Sequence, residues 1–554
     1  SRRPSGHADD SGAPSDVTWL AESAMLSYGW RRILLLVIAG AVAALSAAPL
    51  FLLPALFVGM PVLVWCLDGA ERQKGLGRLF GPAFRIGLAF GLGYFSVALH
   101  WLGAAFIQEG GVYLWLMAPA IVGLAAILSL FWAVGTALAH LLWSGGAMRI
   151  VTLATFLTAA EYLRGHVFSG FPFDLLGYAL TANDEMMQLA SIVGVYGLTF
   201  LAALISGTIA LIWPADERGL VARLLPFFLA IGVIAAQIGY GNWRLTNTEV
   251  TGRDDMKVRL VQPMILEHRD WAVADPEHIM NRLISLSETR LTPDDPGLSG
   301  VTHVVWPESV FPFFLTQYPD SLARIARMLP PGVTLLTGAP REPLDAEGQA
   351  IPDNPGYNSI LVINSDGEIV SSYDKSHLVP FGEYLPLADF WKLFGIRQFV
   401  PGTNGWAHGE GRRLVAAEAT PPFLALVCYE AVFPNDIGDV PGAQFILNIT
   451  NDAWFDGSIG PAQHAHHARL RSVESGLPML RASNSGTTIV VDPLGRITAR
   501  LAEQEVAVVD AIPANRLPED TPYTRFGDWP LAAVLALGLL LSLLAARRIA
   551  RTPA

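Results

Sequence analysis

Cys428 closes the apolar run Phe-Leu-Ala-Leu-Val-Cys in a chain of 554 residues whose only other cysteine is Cys66. A thiol with no evident disulfide partner, placed where a buried strand meets polar residues, is a candidate nucleophile when a carboxylate and a lysine can converge on it. Two such residues lie upstream: Glu308 follows Val-Val-Trp-Pro, and Lys375 follows Ile-Val-Ser-Ser-Tyr-Asp. An ordinary cysteine, with a pKa of about 8.5, is only a few per cent thiolate at neutral pH. Glu308 as general base would supply the missing thiolate, and Lys375, with a backbone N–H near Cys428, would meet the oxyanion formed when sulfur attacks an ester carbonyl. Each residue alone has a plainer reading: a loop carboxylate, a surface lysine, an inert core cysteine. Pro307 and the apolar neighbours Trp306, Val310 and Phe311 weigh towards burial of Glu308.

The elements that would position these side chains begin near Met256, where short β-rich runs alternate with helical patterns and Pro, Gly, Asn and Asp punctuation. Strands are predicted at 257–262, 302–306, 333–337, 359–364, 423–428, 444–449, 487–491 and 505–511, and helices at 276–291, 319–329 and 462–475. Interleaving of this kind implies an α/β layered domain with largely buried sheets, whose strand ends assemble the site.

The rest of the chain is unlike a soluble protein: 52% of residues are hydrophobic, 16% are charged and the mean hydropathy is +0.39. Apolar runs at 31–49, 50–67, 82–104, 112–142, 148–162, 189–213, 222–241 and 529–546 approach the ~17–25 residues of a membrane span. The expected architecture is an α-helical membrane bundle of about eight spans with an extramembrane α/β domain. Its divisions are a polar tail 1–30, a seven-span membrane domain 31–241, a catalytic domain 242–528, a transmembrane helix 529–546 and a tail 547–554. The first run is read as a retained span, because no small-residue cleavage site closes it.

Short loops rich in Lys and Arg stay cytoplasmic. Arg31 and Arg32 precede the first run, Arg72, Lys74, Arg78 and Arg85 follow the second, Arg218 and Arg223 follow the sixth, and Arg547, Arg548 and Arg551 follow the eighth. Both termini are therefore expected in the cytoplasm and the large polar segment outside. A net charge of −12 offers no basic field for nucleic acid. With one cysteine in the external segment, Cys428 is expected to be free or paired between chains.

The order Glu308, Lys375, Cys428 and its flanks resemble the nitrilase superfamily, whose domains are α-β-β-α sandwiches carrying that triad. Trp-Pro-Glu-Ser at 306–309, YDKSHLVPFGEYLP at 373–386, Cys-Tyr-Glu at 428–430, NDAWF at 451–455 and LRASNSG at 480–486, with spans on both sides, are similar to the bacterial apolipoprotein N-acyltransferases. That resemblance implies a nitrilase-like periplasmic catalytic domain on a multi-pass body in the inner membrane. It implies a phospholipid acyl donor, a diacylglyceryl-cysteine apolipoprotein acceptor, ping-pong transfer through a thioester on Cys428, and no cofactor. It implies supporting roles for Glu383, Tyr429 and Glu430 and, for Trp271, a mobile aromatic arm that gates substrates. Asn358 is expected to help position the site, with an edge-strand packing role equally open. The protein is expected to act as a monomer among membrane lipids.

Other features are read more plainly. His464, His466 and His467 fall on several faces of a helical pattern without an accompanying Asp/Cys set, so a solvated face is expected and no metal. His100 and His140 are placed near span ends, in interfacial roles. In GFPFDLLGY at 170–178, Pro172 and Phe173 suit a dip into the membrane interface, where Asp174 is out of place. Two other function classes share parts of this pattern. A membrane-tethered amidase would use water as acceptor, and a transporter or receptor would place charged groups deep in the bundle.

Overall fold

The computed structural model describes residues 16–551 apart from 112, 215–218, 266–275, 309, 346–348, 350, 352–353, 388–392, 394–404 and 435–440. Trp271 lies outside the described residues.

Each of the eight apolar runs is mostly helical among its described residues. Among the described residues four helices are long and apolar enough to cross a membrane: Tyr113–Leu141, Ala190–Leu211, Leu220–Asn247 and Trp529–Arg548. Gly77–Ala98 and His100–Glu109, meeting at 51°, make a fifth if counted as one bent span. The expected number of about eight exceeds what length and composition support. Gly29–Ala44 and Leu53–Asp68 have 16 residues each, about 24 Å of helix at 1.5 Å per residue against a hydrocarbon core of about 30 Å. Met148–His166 carries Arg149, Glu161 and Arg164. The helices pack around an aromatic centre in which Phe90, Phe95 and Tyr94 surround Trp132, with ring centroids 4.9–5.7 Å away.

Beyond the seventh run the described residues form twelve strands in two six-stranded sheets. The first contains β1 (Val258–Gln262), β2 (His303–Trp306), β3 (Thr334–Arg341), β4 (Tyr357–Ile363) and β5 (Ile369–Asp374). The second contains β6 (Leu414–Ala417), β7 (Thr420–Val427), β8 (Phe445–Thr450), β9 (Met479–Ser483), β10 (Thr488–Val491) and β11 (Ile497–Leu501). The chain then returns as β12 (Ala507–Ala511), antiparallel to β1. β1, β2 and β3 run parallel, as do β7, β8 and β9.

The period of two along each strand sorts side chains between layers. Phe423, Ala425 and Val427 of β7 and Phe445, Leu447 and Ile449 of β8 join Val305, Leu336, Ile360 and Val362 between the sheets. Their alternates Leu424, Leu426 and Ile446 face outward and pack with Ala468 of helix Gly460–Ser475. On the first sheet Val304, Trp306, Leu335 and Leu361 face outward and meet Ile279 and Leu283 of Pro276–Ser287 and Ile325 of Pro319–Met328. The result is a helix-sheet-sheet-helix sandwich.

Helix Gly460–Ser475 is not solvated on any broad face: His464, His466 and His467 are all buried. One side packs on the second sheet and the other on the helical body. The Gln463 amide donates to the Ala48 carbonyl at 2.9 Å, His466 Nε2 is 2.8 Å from the Thr181 hydroxyl, the His467 ring stacks on Tyr178 at 3.8 Å, and Glu474 accepts from the Val195 N–H at 2.9 Å. A polar helix reads as solvent-facing because sequence pattern carries no sign of a polar partner on another domain. The 170–178 loop is likewise enclosed rather than dipped into lipid, with Phe173 and Asp174 buried.

Candidate active site

Parallel strands deliver their C-terminal ends to one edge of a sheet, and there the sequence places its polar residues. Glu308 follows β2, Cys428 follows β7, Asn451 follows β8 and Asn484 follows β9. β4 and β5 are antiparallel, so the start of β4 meets the end of β5, and the Lys375 N–H donates to the Asn358 carbonyl at 2.8 Å. Gly338 of β3 leaves the space Glu308 needs, because a Cβ there would lie 2.6 Å from the Glu308 Cα and 2.5 Å from the Pro307 carbonyl oxygen.

Glu308, Lys375 and Cys428 converge. The Lys375 ammonium is 3.6 Å from Glu308 Oε1 and 2.8 Å from Glu383 Oε1, with Lys375 and Glu308 only 1% and 4% exposed. The Cys428 thiol lies within the electrostatic reach of both the Glu308 carboxylate and the Lys375 ammonium. Asn358 bridges the two carboxylates, donating to Glu308 Oε1 at 2.7 Å and Glu383 Oε1 at 3.1 Å. The Asn451 N–H donates to Glu308 Oε2 at 2.9 Å, and the Val379 N–H to Glu383 Oε2 at 2.8 Å. Two carboxylates thus share one ammonium in a buried pocket, and every carboxylate oxygen is satisfied.

The electrostatics follow. Burial raises the Glu308 carboxyl above its ordinary value, and Glu383 adds to this against the pull of Lys375. Burial would lower Lys375, but Glu383 and then Glu308 outweigh it and hold the ammonium above the usual lysine range. Burial, and next the Glu308 charge, push the Cys428 thiol up, with Lys375 offsetting part of the rise. The resting cysteine is therefore a neutral thiol beside an avid base and a fixed cation. It becomes a nucleophile by handing its proton to Glu308 as it attacks.

Cys428 has φ +52°, a left-handed conformation that costs a side-chain-bearing residue about 1–2 kcal/mol and needs support from its surroundings. Glu430 is one support. Its Oε2 accepts from the Val427 N–H at 2.8 Å, while Oε1 accepts from the Tyr373 hydroxyl, both the N–H and the hydroxyl of Ser376, and the His377 N–H at 2.9–3.0 Å. One carboxylate thereby ties the cysteine turn to the segment after Lys375, as a buried staple with no direct contact to the lysine among these bonds. Tyr429 packs in the apolar core of the helical body and donates to the Gly170 carbonyl at 3.0 Å.

Asp452 and Arg481 lie inside the NDAWF and LRASNSG motifs without a role of their own in the sequence pattern, and His464, expected on a solvated face, joins them. His464 Nε2 donates to the Cys428 carbonyl at 3.0 Å, and Nδ1 lies 2.8 Å from Asp452, which Arg481 grips from the other side at 2.9 Å. Burial pushes Asp452 up, but His464 and Arg481 outweigh it and hold the carboxyl at about 2. The Cys428 sulfur, an Asp452 oxygen and a His464 nitrogen lie within 4.8 Å of one another, so the structure supplies the Asp/Cys neighbours that the sequence reading found missing. His464 is engaged on both ring nitrogens and Asp452 by an arginine, which makes the set a hydrogen-bonded relay supporting the nucleophile's backbone. His100 is exposed, and its Nδ1 lies 2.7 Å from the Val97 carbonyl at a helix end. His140 is buried, 6.2 Å from the Trp143 ring.

Residues 39–208 match the family profile described as apolipoprotein N-acyltransferase N-terminal domain, and residues 257–516 match the one described as carbon-nitrogen hydrolase. The apolipoprotein N-acyltransferase of Rhodopseudomonas palustris is 40% identical over 532 residues, covering 95% of this chain and 98% of that protein. That of Bradyrhizobium diazoefficiens is 40% identical over 537 residues, covering 96% and 98%. Among solved structures, an amidase from Nesterenkonia sp. is 18% identical with a TM-score of 0.32, covering 52% of this chain and 98% of that one.

Proposed function

The chain belongs to the apolipoprotein N-acyltransferase family, and from that premise we propose that it carries an acyl chain from a membrane phospholipid, through a thioester on Cys428, to the N-terminal amine of a diacylglyceryl-cysteine apolipoprotein. Enzymes of this family are acyltransferases in lipoprotein maturation. The observation that carries the finer reading is the convergence of Cys428, Glu308 and Lys375 in one buried site, with the Lys375 ammonium 3.6 Å from the Glu308 carboxylate and both charges acting on the thiol.

In the first half-reaction Glu308 takes the thiol proton as sulfur attacks the ester carbonyl. The oxyanion is met by the Lys375 ammonium and a backbone N–H near Cys428, in a buried site where such donors are worth most. Collapse expels the glyceryl alkoxide, which takes the proton from Glu308 and leaves as a lysophospholipid. In the second half the acceptor amine attacks the thioester, Glu308 takes its proton, and the Cys428 thiolate leaves and is reprotonated. The thioester keeps the acyl group activated for an amine, so one hard transfer becomes two easier ones.

In this reading residues 31–241 and 529–546 lie in the inner membrane as about eight spans, the shorter helices included, with residues 242–528 on the periplasmic side and the tails 1–30 and 547–554 cytoplasmic. The enzyme acts as a monomer and takes both substrates from the lipid phase. The packing of helix Gly460–Ser475 against the helical body supports this placement, since it seats the cysteine turn directly above the apolar domain. Trp271 serves as the gating arm.

The experiment is transfer in vitro from an acyl-labelled phospholipid to a diacylglyceryl-cysteine peptide, beside Cys428→Ala. The reading expects a labelled N-acyl peptide from wild type and none from the variant. Free fatty acid as the main product would identify a hydrolase instead.

A further inference from the structure

The helical body contains an ion pair for which the chemistry above has no use. In Met148–His166, Glu161 and Arg164 are fully buried and joined by two bonds, Nε to Oε1 at 2.7 Å and Nη2 to Oε2 at 2.9 Å. The Trp132 indole N–H adds a third donor to the glutamate at 2.6 Å, and the guanidinium lies over the Phe95 ring at 4.8 Å. Removing two charges from water costs several kcal/mol per ion, and an apolar pair of the same volume would often hold the helix as well. Ionisable groups at this depth invite a functional reading.

The remaining donors of Arg164 show what the pair holds. Nη1 donates to the carbonyls of Phe171 at 2.5 Å and Phe173 at 2.9 Å, and the Arg164 carbonyl accepts from the Phe171 N–H at 2.8 Å. The loop is folded back on its own helix so tightly that Gly170 adopts φ +70°, and a Cβ there would lie 2.2 Å from the Gly165 carbonyl oxygen. The carbonyl presented by Gly170 receives the Tyr429 hydroxyl at 3.0 Å. Tyr429 is the residue after the nucleophile.

We propose that Arg164, braced by Glu161, is a positioning residue for Cys428: it fixes the 170–173 loop, whose Gly170 carbonyl holds Tyr429 and so the strained turn that aims the thiol. The membrane body thus supplies the third anchor of the nucleophile, beside His464 on the Cys428 carbonyl and Glu430 on the flanking backbone. The inference rests on Cys428 being the acyl carrier.

The test is a double-mutant cycle on the full-length protein in nanodiscs, with Arg164→Lys, Tyr429→Phe and the double variant. It reads the single-turnover rate of acyl transfer from a labelled phosphatidylethanolamine to Cys428, and the rate of Cys428 alkylation by iodoacetamide. Lysine keeps the charge but cannot span Glu161 and two carbonyls, so each single variant is expected to slow acyl transfer about tenfold, and the double variant no more than about threefold beyond the slower single. Effects that multiply to about a hundredfold, or a single variant at the wild-type rate, would overturn the proposal. A general structural role would lower the unfolding temperature and give multiplying effects. If Arg164→Lys does not purify folded, Glu161→Gln replaces it in the cycle with the same criteria. Should wild type form no thioester, the acyl-carrier reading fails, while the alkylation cycle still decides whether Arg164 acts through Tyr429.

Discussion

Replacing Glu383 with glutamine removes one of the two charges that share Lys375 while preserving shape, and the structure fixes the sign of the result. The Oε1 atoms of Glu308 and Glu383 both accept from Asn358 Nδ2, at 2.7 and 3.1 Å, so they lie no more than about 6 Å apart. At that distance and an effective dielectric constant of about 20, like charges repel by about 3 kcal/mol, equivalent to about two pKa units. The Glu383 side chain is 14% exposed, and screening at its open side reduces the expected shift to about one unit. The raised carboxyl of Glu308 therefore falls in Glu383→Gln, because its repelling neighbour is gone and Lys375 is left with one carboxylate. Acylation requires Glu308 as the free base, so the rising limb of the single-turnover rate against pH is expected to move down by about one unit. The plateau should drop about 10- to 100-fold, since Lys375 loses a charge-assisted bond worth about 1.5–3 kcal/mol and Glu308 becomes a weaker base. Rapid-quench measurement of the labelled acyl-enzyme between pH 4 and 9 reads both effects. A limb that stays in place or moves upward would refute the shared-ammonium account.

Asn358→Ala is expected to shift the same limb the other way, because its bond to Glu308 Oε1 favours the charged carboxylate, and to slow acylation about tenfold, read from the same pH series. Glu430→Gln leaves one acceptor oxygen where five donors converged on two and sets an NH2 against at least one of them, and should destabilise the catalytic domain by about 1–3 kcal/mol, visible as a lower unfolding temperature with the helical body retained. Asp452, held at about 2 against an ordinary value of 3.8, contributes stability that is complete above pH 4 and is lost as pH falls towards 2. Asp452→Asn should therefore lower the unfolding temperature at neutral pH and flatten its decline between pH 4 and 2, by about 2 kcal/mol in a scan of unfolding against pH.

Side chains that alternate between two apolar layers announced themselves in the sequence. KVRLVQ, THVVW and FLALVC read as strands because both of their faces are buried, and their ends placed Glu308 and Cys428. β5 has partly exposed Ser371 and Ser372, β11 is mostly exposed, and β9 buries Arg481 and Ser483, so none shows an apolar run, although Lys375 and Asn484 depend on β5 and β9 for their positions. The histidines of Gly460–Ser475 misled for a related reason. A helix whose polar groups are satisfied by another domain has the composition of a solvated one, and Thr181, Val195 and Ala48 lie more than 250 residues away in the chain. The pairing of Asp452 with His464, and of His464 with the Cys428 carbonyl, has no signature in the sequence because a bond to a backbone carbonyl leaves no side-chain motif. Glu383 and Asn358 are brought to the triad, whereas Tyr429 faces the membrane body and Glu430 the backbone around it.

The central claim is that Cys428 carries the acyl chain, and intact-protein mass spectrometry of the enzyme exposed to phospholipid without acceptor tests it most directly. Wild type should gain the mass of one acyl chain, labile to neutral hydroxylamine and lost on adding the diacylglyceryl-cysteine peptide, while Cys428→Ala gains nothing. An unmodified wild type during lysophospholipid release, or the same adduct on Cys428→Ala, would contradict it.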